Sequence, residues 1–159
     1  MAADLQPGDK APHFALPSDE GGEIRLADLA GRIVVLYFYP KDDTSGCTSE
    51  AKAFSASIEA FDKAGAVIVG VSKDPVKSHA KFRQKHELTV RLGADEDGRT
   101  VEAYGVWVEK SMYGRKYMGI ERATFLIDAA GVIRRIWRKV SVTGHADEVL
   151  AAVRALAAA

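Results

Sequence analysis

The sequence predicts an α/β fold with a central mixed β-sheet, helices on both faces of the sheet and a β-hairpin at the N-terminus. Two nearly continuous apolar runs, over residues 33–39 and 66–72, are rich in β-branched side chains, which is typical of strands covered on both faces. A helical pattern over residues 46–63 separates them, and this strand–helix–strand order favours a parallel pair. Two strands joined by a short turn near the C-terminus make the predicted sheet mixed.

The other elements follow in chain order. Residues 12–31 contain the short hairpin, with its turn at Gly21 and Gly22, and then a small helical turn. Pro75 opens a second helix that runs to about residue 86. The later elements are a short strand around Leu92, a brief helix ending at Gly105, strands over residues 123–128 and 131–140 joined by residues 129–131, and an alanine-rich helix over residues 149–158 whose first turn contains residues 145–148.

The composition indicates one globular domain that spans residues 1–159. The chain is 47% hydrophobic and carries 22 basic and 22 acidic residues, so its formal net charge is zero. A neutral chain has no overall electrostatic reason to bind nucleic acid or an anionic membrane. The apolar runs fall short of the roughly 20 residues that a membrane-spanning helix requires. We therefore expect neither nucleic acid nor membrane among the partners.

The chain has one cysteine and four histidines. A single cysteine forms no internal disulfide and no cysteine-based zinc cluster, so we expect a reducing, cytoplasmic setting. His79 and His86 share a predicted helix, but no third ligand accompanies them. We expect no metal and no cofactor.

The stretch "PKDDTSGCTSE" places that cysteine, Cys47, just after a buried strand and at the start of a helix. A helix start offers unpaired N–H groups and the positive end of the dipole, which favour a thiolate. Thr44 can place a hydroxyl beside the sulfur, Gly46 allows close approach of another molecule, and Pro40 can stiffen and shield the loop. The alternative is a small, buried and inert cysteine, but such polar neighbours are unusual for a core position.

A cation is needed nearby, because Asp42 and Asp43 would oppose a thiolate if they lay close to it. Arg122 is the best candidate, since it begins a predicted strand that can lie beside residues 33–39. On sequence grounds alone four other arginines serve equally well: Arg115, Arg134, Arg135 and Arg138.

The pattern Pro-x-x-x-Thr-x-x-Cys resembles the active site of the peroxiredoxins. Three further stretches resemble the branch of that family called bacterioferritin comigratory protein or Q-type: "GDKAPHFALP", "YGRKYMGIERATFLID" and "GHADEVL". The likeness runs through nearly the whole chain in the expected order. It implies a thioredoxin-like fold.

The resemblance also implies residue roles. Cys47 would be the peroxidatic cysteine, Thr44 would hydrogen-bond the thiolate and the peroxide, and Arg122 would be the active-site arginine. Pro40 would shield the site, and Glu50 would orient the arginine.

Two departures from the branch matter. Ser45 stands where the branch commonly has proline, so the loop is predicted to be less rigid. Lys52 and residues 80–84 occupy the positions where relatives carry a resolving cysteine. The sequence therefore implies a one-cysteine cycle.

The resulting hypothesis is a thiol peroxidase that reduces hydrogen peroxide and organic hydroperoxides through a Cys47 sulfenic acid. An external thiol, from thioredoxin, glutaredoxin or a small molecule, would regenerate it. The alternative is a redox sensor that uses Cys47 once, as a switch. We expect a monomer, with a Cys47 disulfide between two chains as the other possibility.

Several apolar side chains are candidates for the surroundings of the site. Tyr113, Tyr117 and Met118 could line its mouth, although packing explains them equally well. Trp107 and Met112 could form a common apolar patch that contacts a reductant or an organic peroxide.

Overall fold

A computed structural model describes residues 4–159, and its centre is a five-stranded mixed sheet. In spatial order the strands are β5 (Arg91–Ala94), β4 (Ala66–Ser72), β3 (Ile33–Phe38), β8 (Ala123–Ile127) and β9 (Ile133–Trp137). Strands β3, β4 and β5 are parallel, whereas β8 runs antiparallel to β3 and β9 runs antiparallel to β8. The predicted mixed sheet is confirmed.

Four helices cover one face of this sheet. They are α1 (Ser45–Ala56), α2 (Ile58–Lys63), α3 (Val76–His86) and α5 (His145–Ala158). Their apolar side chains meet alternate residues of the strands, and Phe54 of α1 stacks on Tyr37 of β3 at a centroid distance of 4.9 Å. This layer holds α1 against the sheet at the end of β3.

The opposite face is covered by the N-terminal hairpin and two short helices. The hairpin consists of β1 (Ala15–Pro17) and β2 (Glu23–Arg25), and the helices are a 3-10 helix (Leu26–Leu29) and α4 (Arg99–Ala103). Its core includes Phe38, Tyr104 and Phe125, whose rings contact one another. Helices therefore lie on both faces, as predicted, although only short ones lie on this face.

The helix predicted over residues 46–63 is two helices. Ser57 leaves the helical conformation with φ −106° and ψ 12°. Its N–H bonds the carbonyl of Phe54 at 3.2 Å, three residues back instead of four. The tightened turn redirects the chain so that Phe61 of α2 packs edge-on against Phe54.

A second hairpin, β6 (Trp107–Met112) and β7 (Arg115–Ile120), is absent from the prediction. Its strands mix charged and apolar residues without the long apolar run that marks a buried strand. The one local signal is Gly114: Tyr113 and Gly114 both have positive φ, 52° and 77°, as a two-residue hairpin loop requires. Within residues 4–159 the hairpin makes strand pairs only with itself.

Over the described residues, no helix combines the length and the apolar character needed to cross a membrane.

Gly70 provides a test of the packing between β3 and β4. A methyl group added there would lie 2.6 Å from the Cζ atom of Tyr37, inside a sheet that cannot expand locally. We expect Gly70→Ala to lower the free energy of unfolding by about 1–3 kcal/mol. The matched strand substitution Gly119→Ala meets the flexible stem of Lys110 at 3.2 Å and the exposed ring of Tyr117 at 3.4 Å, which can both shift. It should change the free energy of unfolding by less than about 0.5 kcal/mol. Urea unfolding measures both, and equal losses would contradict this view of the packing.

Candidate active site

The sulfur of Cys47 lies buried in the first turn of α1, immediately beyond the end of β3. Its residue is 1% exposed, and Thr44 occupies the N-cap position before the helix. Cys47 therefore belongs to the turn whose backbone N–H groups are free of intrahelical partners and which forms the positive end of the helix dipole. Cys47 is buried among core residues, as the inert alternative requires, but its sulfur also accepts a hydrogen bond from a charged side chain.

Arg122 reaches this sulfur because of the register between β3 and β8. Phe38, the last residue of β3, pairs with Ala123, the first residue of β8, so Arg122 lies beside the loop that leads to α1. Its Nη2 donates to Cys47 Sγ at 3.3 Å, and its Nη1 donates to Glu50 Oε1 at 2.6 Å. The guanidinium thus bridges two side chains that lie three residues apart on α1.

The other candidate arginines lie elsewhere. Arg134, Arg135 and Arg138 pair with Asp128, Glu148 and Glu121, and Arg115 lies at the exposed tip of the β6–β7 hairpin. Among these five arginines, only Arg122 contacts Cys47.

Glu50 is a buried carboxyl whose two oxygens have different surroundings. It is 1% exposed; Oε1 accepts the bond from Arg122, and Oε2 has no hydrogen-bond partner. Burial raises the pKa of Glu50 to about 7, although the charge of Arg122 and its hydrogen bond act in the opposite direction. The carboxyl is therefore poised to hold or release a proton near neutral pH.

Gly46 makes room for the guanidinium. A Cβ atom at this position would lie 3.1 Å from Nη2 of Arg122. Any larger residue would press on the atom that contacts Cys47, so Gly46 permits the close approach of Arg122 to the start of α1.

Thr44 and Pro40 lie next to this cluster but are exposed. The Thr44 hydroxyl donates to the carbonyl oxygen of Lys41 at 2.9 Å, and within residues 4–159 no hydrogen bond joins it to Cys47. With its proton engaged, the oxygen retains lone pairs that can accept a hydrogen bond from a ligand. The shielding role of Pro40 stays a prediction.

Asp42 points away from the sulfur and towards α3. Its Oδ1 accepts from the Tyr39 hydroxyl at 2.6 Å, and its Oδ2 lies 2.7 Å from Nδ1 of His79 and 2.8 Å from Oγ of Ser78. The second ring nitrogen of His79 faces the carbonyl of Gly93 at 3.0 Å. Burial opposes charge on His79, but the hydrogen bond and the charge of Asp42 outweigh it and raise the pKa. This buried pair fixes the loop, and sequence reasoning missed it.

Asp43 makes a second, exposed connection to the same helix. Its backbone has a φ of 60°, and its carboxylate contacts Lys85 at 2.8 Å and His86 at 2.7 Å. The hydrogen bonds from these two residues lower the pKa of Asp43. The concern that both aspartates would oppose a thiolate is thus answered, because each is directed to partners on α3.

The apolar residues proposed around the site belong to the β6–β7 hairpin. Met112, Tyr113, Tyr117 and Met118 are exposed by 44–98%. Strand alternation places Trp107 and Met112 on opposite faces of β6, and Trp107 lies beneath Lys73, whose Nζ is 4.2 Å from the ring centroid. The expected common patch of Trp107 and Met112 is therefore wrong.

Comparison with known proteins places these features in a family. Residues 7–136 match the AhpC/TSA family. Peroxiredoxin Bcp of Bacillus subtilis is 47% identical over 146 residues, which cover 92% of this chain and 93% of the relative. Peroxiredoxin Bcp of Xanthomonas campestris pv. campestris is 50% identical over 147 residues, which cover 91% of this chain and 92% of the relative.

Solved structures agree with the sequence relatives. The Xanthomonas campestris bacterioferritin comigratory protein superposes with a TM-score of 0.86 at 47% identity and covers 91% of this chain and 92% of its own. A variant of Xylella fastidiosa PrxQ gives a TM-score of 0.92 at 38% identity, with 98% and 99% covered. The thioredoxin-like fold expected from the resemblance is confirmed. This chain belongs to the AhpC/TSA family, in its bacterioferritin comigratory or Q-type peroxiredoxin branch, and its one cysteine leaves it without a resolving cysteine.

Proposed function

We propose that this protein is a thiol peroxidase that reduces hydrogen peroxide and organic hydroperoxides in a one-cysteine cycle. The observation that carries the proposal is the guanidinium of Arg122 bonded to both Cys47 and Glu50 at the start of α1. Such an arrangement places a cation against the sulfur and directs N–H donors to the place where a peroxide must bind. The Xanthomonas campestris relative is itself described with alkyl peroxide reduction activity.

In the first step the Cys47 thiolate attacks the terminal oxygen of the hydroperoxide. The sulfur–oxygen bond forms, the oxygen–oxygen bond breaks, and the electron pair of the broken bond leaves with the other oxygen, which takes up a proton and becomes an alcohol or water. Cys47 becomes a sulfenic acid. This step uses the residues near the helix start and requires no metal ligand or cofactor-binding group from the chain.

Ionisation of a thiol accounts for only part of the rate. An ordinary thiol with a pKa of about 8.5 is about 3% thiolate at pH 7, so full ionisation adds roughly 30-fold at most. Donors directed at developing charge contribute about 10²- to 10³-fold each. We assign this larger effect to Arg122 and to the N–H groups at the start of α1. Thr44 positions the peroxide, with its hydroxyl oxygen as the acceptor.

The second half of the cycle needs a thiol from another molecule. The chain has a single cysteine, and the exposed helix position Lys52 offers no thiol. An external thiol condenses with the sulfenic acid, and a second one releases the Cys47 thiolate. Thioredoxin, glutaredoxin and small thiols all supply this chemistry.

We further propose that the reduced protein is a cytoplasmic monomer. The Cys47 residue is 1% exposed, so a Cys47 disulfide between two chains, like a mixed disulfide with a protein thiol, would require the start of α1 to open. A reducing compartment supplies the external thiols that the cycle consumes.

The peroxidase and the redox sensor differ in turnover. With one equivalent of peroxide, we expect mass spectrometry to show a Cys47 sulfenic acid, and a mixed disulfide when a thiol is added. With excess peroxide and thiol, we expect many turnovers per protein and none in Cys47→Ser. One stoichiometric oxidation without turnover, under any of the candidate thiols, would favour the sensor.

Arg122 and Thr44 should raise the rate of Cys47 oxidation by more than the ionisation of the thiol explains. We expect Arg122→Ala to slow Cys47 oxidation by about 10²- to 10³-fold and Thr44→Val to slow it measurably, since each removes a group that contacts the peroxide. Stopped-flow rates are compared at a pH where alkylation shows the thiol fully ionised in every variant. Arg135→Ala, an exposed arginine paired with Glu148, is the matched control and should keep its rate. Equal rates for all four proteins would defeat the assignment.

Glu50 should also make stability depend on pH. The folded state holds the proton of the Glu50 carboxyl up to about pH 7, whereas the unfolded state releases it near the ordinary glutamate pKa of 4.5. The folded state therefore binds more protons between these values, and the free energy of unfolding should fall by about 3 kcal/mol as pH rises through this window. Glu50→Gln should lack this fall. Urea unfolding of both proteins across the window measures the difference, which would be independent of pH if the carboxyl were ionised throughout.

A further inference from the structure

The site contains two acids and one closely bound cation. Cys47 and Glu50 are each 1% exposed, and both bond the guanidinium of Arg122. One positive charge compensates one buried anion, and a second buried anion without a partner is costly. When Cys47 is a thiolate, the single positive charge of Arg122 therefore favours a protonated Glu50.

The surrounding charged and titratable groups support this charge balance, in which Arg122 compensates one buried anion. From β3, Tyr37 faces the pair; burial, then the negative charges of Glu50 and Cys47, raise its pKa, so its phenol keeps its proton. From β6, Lys110 is half-buried and feels both Arg122 and Cys47, but it forms no ion pair with Cys47 or Glu50. From α5, His145 bonds the hydroxyl of Thr124 at 2.8 Å, and burial lowers its pKa, so it is neutral.

The hydrogen bonds of Glu50 favour Oε2 over Oε1 as the oxygen that carries a proton. Oε1 accepts the charge-assisted bond from Arg122, and Oε2 is buried without a partner. An unpartnered carboxylate oxygen in such surroundings is unfavourable, whereas a carboxylic acid O–H is a ready donor to an incoming oxygen. Glu50 lies one helical turn from Cys47, on the same side of α1.

We propose that Glu50 is the proton donor for the leaving oxygen, an inference that rests on the peroxidase function proposed above. In the step, Cys47–S⁻, Glu50–COOH and R–O–OH become Cys47–S–OH, Glu50–COO⁻ and R–OH. The sulfur is oxidised, the peroxide is reduced, and the proton moves from Oε2 to the oxygen that leaves, directly or through one water.

The charge of Arg122 couples the proton transfer to formation of the sulfur–oxygen bond. As the sulfur–oxygen bond forms, the negative charge leaves the sulfur, and the guanidinium is free to compensate a Glu50 carboxylate. The carboxyl therefore becomes a stronger acid as the leaving oxygen becomes a stronger base. When the second external thiol later displaces Cys47 from the mixed disulfide, that thiol's proton is available to return to Glu50.

Two oxidants separate proton donation from mere orientation of Arg122. An alkyl hydroperoxide expels an alkoxide, which needs a proton, whereas a peroxycarboxylic acid expels a carboxylate, which does not. We expect Glu50→Gln, which keeps an oxygen acceptor for Arg122, to slow oxidation of Cys47 by tert-butyl hydroperoxide by about 10²-fold. Oxidation by peracetic acid should slow by less than about 3-fold, as a small remainder of that effect.

The measurement is single-turnover stopped flow with each oxidant. Glu148→Gln, an exposed glutamate that pairs with Arg135, is the matched control and should leave both rates unchanged. Equal slowing of the two oxidants by Glu50→Gln, or no slowing of either, would overturn proton donation. If the peroxidase proposal itself failed, the unmodified protein would form no sulfenic acid with either oxidant, or would form it once without turnover in excess peroxide and thiol, so the two failures are distinguishable.

A second measurement needs no variant and applies even if Glu50→Gln does not fold. Transfer of a proton in the rate-limiting step predicts a larger solvent isotope effect with tert-butyl hydroperoxide than with peracetic acid. Equal isotope effects for the two oxidants would contradict the proposal.

Discussion

The site depends on the two hydrogen bonds that the guanidinium of Arg122 donates to Cys47 and Glu50. They form because β8 runs antiparallel to β3. A parallel neighbour would place its first residue at the opposite end of β3, far from the start of α1. The pairing of Phe38 with Ala123 instead brings Arg122 to the carboxyl end of β3. Sheet topology thus joins residues 75 positions apart in the chain.

The loop before α1 is held as firmly as the guanidinium. Asp42 contacts β3 through Tyr39 and α3 through His79, and Asp43 adds an exposed connection to the end of α3. Both ring nitrogens of His79 face oxygen acceptors, an arrangement that a protonated imidazole satisfies fully. The same contacts keep two carboxylates turned away from the sulfur, whose side-chain hydrogen bond comes from Arg122.

The sequence predicts the parts of this structure that depend on local pattern. The apolar runs locate β3 and β4, and the position of Cys47 after β3 and before a helix follows from them. The sequence pattern alone left Arg122 as one of five arginines that could lie beside β3, because local periodicity does not specify the direction of a strand. The family resemblance separated it from the rest, and the distance of 3.3 Å to Sγ agrees.

The features that were missed depend on long-range contacts or on weak patterns. His79 looks like any histidine on a helix, and its partner Asp42 lies 37 residues away. The β6–β7 hairpin lacks an apolar run, and its turn carries Tyr-Gly where Asn-Gly would have been a stronger signal. The break at Ser57 follows from how Phe61 packs, which no helical periodicity of residues 46–63 specifies.

The distribution of unsatisfied groups points to the same region as the chemistry. Among the described residues, the buried side-chain nitrogen and oxygen atoms without a partner are Oη of Tyr37 and Oε2 of Glu50, and both residues interact electrostatically with Arg122. Each such atom lowers the free energy of unfolding by about 1–3 kcal/mol, and phenylalanine at position 37 would avoid this loss. Elsewhere the buried polar side chains, such as Asp42, His79 and Asp95, find partners. The unsatisfied polar groups of the core thus lie near Cys47, where they lower the stability of the fold. Such a local loss of stability is expected at a site that must transfer a proton and bind a ligand.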